Sequence, residues 1–228
     1  MEDFFPELLD EFVSTDFLKK VRVKYHFDEK QAAEIQAAAE EMLPQMRQEA
    51  FWVKKKFFAK KEWQSEDSDT AYENVAMSLG AGVDLLQESY SEKGMLLESY
   101  MVEVLASELL MRSYDAYNRY VMHHSAYHVA RYHFPGSEEA LPLEMLPQLL
   151  SSLTQKITCN SAFCMQPKKS VVFISELTQD ETLFCKGICV GCTNTACPNR
   201  TEDDNLIRKR MTDLPLTYGY SRIFGIHK

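Results

Sequence analysis

Lys156-Ile-Thr-Cys-Asn-Ser-Ala-Phe163 and Ser170-Val-Val-Phe-Ile-Ser175 flank a turn at Pro167-Lys168-Lys169 and read as two β-strands late in a largely helical chain. A further apolar run, Asn74-Val-Ala-Met-Ser-Leu79, reads as a buried strand, with Gly80-Ala-Gly82 as its turn and a helix from Val83 onward. Strands placed before and after long helices, without regular alternation, predict an α+β domain. The single Gly-x-Gly is satisfied by a tight strand-to-helix turn and needs no phosphate.

Helical signals fill the space between these strands. From Met95 to His124 the apolar positions Leu97, Met101, Val104, Leu105 and Leu109 recur at helical spacing. Glu108, Arg112, Asp115 and Arg119 form a polar stripe in which i,i+4 charge pairs predict an exposed face. A short helix is expected over Leu143 to Leu153, after the Pro135-Gly136 loop. Earlier, Asp28 and Gln31 make a capping-box start for a helix over residues 28–50, with Ala32, Ile35, Ala39, Met42, Leu43 and Met46 inward and Pro44 as a kink or frayed end.

Phe51 to Trp63 interleaves five lysines with aromatic residues. The simple expectation is that aromatics pack inward while lysines stay solvated; the sharper one is a docking patch for an acidic protein partner. The polar stretch Gln64 to Thr70 reads as a loop. Three regions follow: a helical extension over 1–70, an α+β core over 71–180, and a Cys-rich segment and tail over 181–228, with a charged helix expected after Thr201.

Composition limits the function classes. The chain has 228 residues, 45% hydrophobic and 26% charged, as a folded globular protein does. Lys plus Arg number 25 against 34 Asp plus Glu, and the net charge of −9 opposes polyphosphate and anionic lipid, so neither nucleic acid nor membrane is an expected partner. An acidic beginning and the absence of a long apolar run predict a cytoplasmic protein. No nucleophile elbow, phosphate-binding lysine loop or His-Glu-x-x-His is present.

Cys185-x3-Cys189-x2-Cys192-x4-Cys197-Pro198 is the strongest chemical signal. Four soft thiolates this close can wrap one metal centre, with a [4Fe-4S] cluster as the leading occupant and zinc as the competitor. The first three cysteines have the spacing of radical S-adenosylmethionine enzymes. About thirty residues follow Cys197, however, and a barrel of that kind takes about 250. Cys159 and Cys164 would point to opposite faces of one regular strand, as lone buried thiols. His124 and His128, one helical turn apart with His123 and His133 nearby, could ligate a metal or approach a corrinoid cobalt.

Val75 to Leu86, Leu105-Ala-Ser-Glu-Leu109, Arg131 to Gly136, Pro142-Leu-Glu144 and Ile157 to Val171 come in an order that resembles the activation domain of vitamin B12-dependent methionine synthase, particularly its stand-alone relatives. The resemblance covers about residues 72–200, and Met165-Gln-Pro167-x-x-Ser170-Val171 is its most specific piece. It implies an α+β fold with a twisted, mainly antiparallel sheet and flanking helices. It also implies a role beside cobalamin, on a corrinoid protein or corrinoid-dependent methyltransferase. Beside such a partner a four-thiolate cluster has a physical use, as a relay of low-potential electrons to cobalt(II). Arg131, Pro135 and Gly136 stand where the family's S-adenosylmethionine loop does, with Ser137 replacing a tyrosine. Cys159-Asn160-Ser161 replaces the family's Thr-Glu-Ser, and the family's Asp-x-His-x-x-Gly loop for cobalamin is absent. A non-catalytic cobalamin escort protein and a methyl-donor module are the alternatives.

Overall fold

The computed structural model describes residues 3–60, 69–137, 140–180, 185 and 188. Helices α1 (Phe5–Phe12), α2 (Thr15–Lys24) and α3 (Ala32–Glu49) lead into strands β1 (Phe51–Lys60) and β2 (Asp69–Ser78). Helices α4 (Ala81–Glu92) and α5 (Leu96–His124) follow, then β3 (His128–His133), α6 (Leu146–Leu153), β4 (Thr158–Cys159), β5 (Met165–Gln166) and β6 (Ser170–Thr178). The protein is α+β. A four-stranded antiparallel sheet in the order β1-β2-β6-β3 is flanked by helices, and β4 and β5 form a separate small ladder. No helix among the described residues is long and apolar enough to cross a membrane.

The structure divides into two compact units, the first drawn from the described residues of Met1–Val53, Ala76–Tyr120 and Gln155–Val171. Its helices begin where side chains can satisfy backbone donors. Ser14 Oγ accepts from Phe17 N, and Asp28 and Gln31 form the expected reciprocal cap. Pro44 stands inside α3, which continues to Glu49. Phe5, Leu8, Leu9 and Phe12 of α1 and Ile35, Ala39, Met42 and Met46 of α3 are buried, and α3 packs against α1, α2 and α4. Trp52 is sealed by Phe4 and Tyr120, each with its ring centroid 4.8 Å away, and donates its indole N–H to Asp3.

The polar stripe of α5 is open as expected at Asp115 and Arg119, which are exposed, but covered at Glu108 and Arg112. Glu108 accepts from Lys24 Nζ and from Tyr25 Oη, while Arg112 lies over the Phe17 ring at 5.3 Å. Helix α2 and the turn after it therefore cover this part of α5, and the i,i+4 rule describes only a helix without such neighbours. Burial beside Glu108 pushes the Tyr25 hydroxyl far above its usual value.

The strand expected over 156–163 is only two residues long. Asn160 ends it, because its side-chain oxygen accepts from Ala162 N and Cys164 N, an Asx-type turn that returns the chain as β5. Cys159 pairs with Met165 across the ladder, and Cys164 sits exposed beyond the turn. The two thiols thus lie on the two arms of a hairpin, correcting the single-strand reading. After it, Lys168 N donates to Asp84, Lys169 Nζ reaches Glu103 and Ser107, and Ser170 Oγ meets buried Ser78 Oγ at 2.8 Å.

The second unit is drawn from the described residues of Lys54–Val75, Val121–Thr154 and Val172–Lys228. Phe57 of β1 stacks on buried Tyr72 of β2, and Tyr132 of β3 meets Phe173 of β6 edge to face at 5.1 Å. Lys54 breaks the solvated-lysine expectation. Its Nζ lies 2.8 Å from Glu73, whose side chain is 5% exposed, because the inward-facing acid on β2 needs a cationic neighbour. The boundary anticipated at residue 70 falls within β2, whose sheet partner β1 comes from the stretch assigned to the helical extension.

Candidate functional site

Strand β3 carries Arg131 and His128, two of the residues singled out for ligand binding, and its geometry begins at the end of α5. Ser125 Oγ accepts from Tyr127 N and donates to Val121 O, closing the helix just past His124. His124 is exposed in the last helical turn, and His128 is the first residue of β3. The two imidazoles do not share a helical face. Their four-residue spacing spans a helix end, where periodicity no longer applies.

The pairing of β3 with β6 is antiparallel, with His128 opposite Thr178, Arg131 opposite Glu176, and His133 opposite Ile174. A register shift between Val129 and Arg131 inserts one extra residue on β3. In a regular strand His128 and Arg131, three residues apart, would face opposite ways. The bulge returns them to one face, so His128, Arg131 and His133 line up along alternate residues of β6.

Glu176 is the centre of this row. It is buried, Arg131 stands directly across from it, and the fully buried His133 places Nε2 3.5 Å from its carboxylate. A carboxylate within a sheet is stable only beside cationic or donating groups, and the His133 ring is the group that comes within 3.5 Å of it. One strand farther into the sheet, Ser175 Oγ donates to the Glu73 carbonyl at 3.3 Å. Asn74 of β2 is buried, and its side-chain oxygen finds no hydrogen-bond partner among the described residues. The unit therefore buries Glu73, Asn74, His133 and Glu176 within the sheet, beside Thr70 and Ser175.

Pro135 and Gly136 follow β3 in a closed loop. Gly136 has φ +83, and its N–H donates to Leu141 O at 2.8 Å, while Ser137 donates N–H and Oγ–H to Phe134 O. Glycine is required at that φ, so the family-like Pro-Gly also serves the turn itself. Arg131, Pro135 and Gly136 are thus consecutive features of one strand and its exit loop.

Cys185 lies 1% exposed beside the same strand, its backbone N–H donating to Val129 O at 2.8 Å next to the bulge. Cys189, Cys192 and Cys197, like the charged helix expected after Thr201, fall outside the described residues. Among the described residues no three His, Cys, Asp or Glu side chains are grouped to hold a metal. Cys185 is buried, and the hydrogen bond that fixes it comes from its main chain.

A groove of about 340 Å³ lies elsewhere, in the first unit, lined by Leu18, Lys19, Arg22, Glu29 and Ile35 among others, and crossed by an Arg22–Glu29 ion pair of 2.7 Å. None of the anticipated ligand residues borders it.

Sequence reasoning missed Glu176, Glu73 and Asn74. The available signal was an acid at the end of the apolar run Ser170 to Thr178, which in a buried strand calls for a partner. No family model matches the chain, and no curated protein sequence matches it.

Proposed function

We propose that the chain is an accessory protein of corrinoid-dependent methyl transfer, related to the methionine synthase activation domain, that binds or reductively reactivates a corrinoid with the help of an iron–sulfur cluster. Cysteines 185, 189, 192 and 197 hold the cluster in this reading, and Arg131, Pro135, Gly136 and His128 border the corrinoid, with His124 farther out on the surface. The observation that carries it is the hydrogen bond from Cys185 to Val129. It brings the first of the four cysteines to the strand that bears Arg131 and leads into Pro135-Gly136.

A four-thiolate cluster supplies electrons at potentials down to about −700 mV, the range that cobalt(II) reduction demands. Arg131 stands opposite Glu176 on the strand that leads into Pro135-Gly136, and a guanidinium is the side chain whose planar fork matches a carboxylate of a ligand. S-adenosylmethionine is the less favoured ligand, since Asn160 spends its side chain on the turn where the family has an acid. The partner is a corrinoid protein or methyltransferase in the cytoplasm, with no role for nucleic acid or membrane.

The competing reading, an escort protein whose cysteine knot is purely structural, is favoured by the burial of Cys185. Anaerobic purification followed by iron, sulfide and zinc analysis separates the two, with cob(II)alamin then added under reducing conditions. Iron and sulfide together with faster cobalt reduction support the proposal. Stoichiometric zinc, or a spectrum and elution profile of cobalamin unchanged by the protein, defeats it.

A further inference from the structure

We propose that the groove between α2 and the start of α3 binds a small amphipathic carboxylate, a straight-chain organic acid whose head meets Lys19 and Arg22. This inference does not depend on the corrinoid reading. Thr15, Leu18, Lys19 and Arg22 stand at i, i+3, i+4 and i+7 along α2 and so share one face of it. Glu29, from the one-turn helix Glu29–Gln31, and Ala32, Ile35 and Gln36 of α3 form the facing wall.

Charge selects the occupant. Helix α2 carries the cations Lys19, Lys20, Arg22 and Lys24; Lys20 is paired with Asp16 at 2.6 Å, Arg22 with Glu29 at 2.7 Å, and Lys24 with Glu108. Lys19, on the groove, has no ion pair or hydrogen bond among the described residues. Arg22 is held against the groove with its side chain 17% exposed, whereas that of Glu29 is 86% exposed. An ion pair with one arm in water is weak, so an entering carboxylate can replace Glu29 at the guanidinium. Its head then meets two cations that lie one helical turn apart.

The floor selects an apolar body. Leu18 and Ile35 are buried beneath the groove, and the small side chain of Ala32 keeps the space above them open. From the Arg22–Glu29 end the ligand's chain runs over these residues toward Thr15 and Gln36, seven residues along each helical segment and roughly 10 Å away. That length is too short to seat a docked helix. The volume of about 340 Å³ is instead in the range of sites for small organic molecules. A neutral apolar molecule would leave Lys19 unmatched, and a bare anion would leave the floor uncovered.

Titration of the full chain with octanoate, followed by amide NMR, tests the proposal; octanol lacks the charge and acetate lacks the body. Octanoate should shift amides within residues 15–22 and 29–36, and should bind at least about tenfold more tightly than either control. Lys19→Gln should weaken it about fivefold and Lys19→Arg should restore it, while Glu29→Gln, which removes the competing acid, should tighten it about twofold. Ala32→Leu fills the groove and should weaken binding at least about tenfold, thermal melts establishing that each variant is folded. The proposal is overturned by the absence of saturable octanoate binding, by octanol binding equally well, by shifts confined to other residues, or by folded Lys19→Gln and Ala32→Leu proteins that bind as wild type does. Shifts of the same amides by an acidic amphipathic peptide, with none by octanoate, overturn it as well and mark a protein-docking groove instead.

Discussion

The Glu49 carboxylate accepts a hydrogen bond from the Gly82 backbone N–H at 2.8 Å, so the last residue of α3 caps the first turn of α4. The helix start at Gly80-Ala81-Gly82 exposes backbone donors that favour an anion, and here the chain supplies its own. The glycine turn is thereby a clamp between two helices. Gly80 has φ +94, and a Cβ there would lie 2.4 Å from the Glu49 Cβ.

Gly80→Ala should accordingly destabilise the protein by roughly 2 kcal/mol or more, through backbone strain and the clash together. Gly94→Ala is the control, because φ is +74 but nothing lies within 4 Å of the added methyl. Its cost should be about 1 kcal/mol, from the left-handed conformation alone. Urea unfolding compares the two, and equal losses would show that the Glu49 contact is not constraining.

Lys54→Met should cost about 3 kcal/mol, since it leaves the Glu73 carboxylate buried without its cation. Lys54→Met/Glu73→Leu should recover most of that loss. Unfolding free energies of the three proteins form the check, and a double variant no better than the single one would mean that Glu73 is not held by Lys54.

Burial alone would push the Glu103 carboxyl up, but hydrogen bonds from Lys169, Gln87 and Ser107 and the Lys169 charge outweigh it and hold the group below its ordinary 4.5. A depressed carboxyl contributes stability above its unfolded value and loses it as pH falls through the folded one. Glu103→Gln should thus be less stable than wild type by about 1 kcal/mol at pH 7, with the gap closing below roughly pH 4.5. Burial raises Asp84, which tilts both proteins the other way, so the informative quantity is their difference in urea unfolding from pH 7 to pH 3. A gap independent of pH would refute the assignment.

Cys185→Ser should abolish iron and sulfide binding while sparing the fold, because the hydrogen bond to Val129 uses the backbone N–H, which serine keeps. Metal analysis and circular dichroism of the anaerobic protein are the measurements. Iron retained at the wild-type level would remove Cys185 from the ligand set.

Local signals carried the helices. The Asp28–Gln31 cap, the long apolar period of α5 and the glycine turn ahead of α4 each depend on residues within a few positions of one another, and each is found where the pattern puts it. The apolar runs at Asn74–Leu79 and Ser170–Ser175 likewise became β2 and β6. The candidate site was legible only in part: Arg131, Pro135 and Gly136 were named, but not Glu176, the acid facing Arg131, because cross-strand neighbours are remote in sequence.

By itself, then, the sequence determined the α+β class, the helix starts and the strands with strong apolar runs, since short-range hydrogen bonding and periodic burial are written into neighbouring residues. Only the tertiary structure decided that the lysine-rich stretch becomes β1, that Lys54 pairs with Glu73, and that α2 and the turn after it cover Glu108 and Arg112 of the polar stripe of α5. It also decided the bulge that brings His128 and Arg131 to one face of β3. The reason is physical: strand register and charge pairing are set by whichever distant segment lies alongside, and a one-residue shift reverses every side chain that follows.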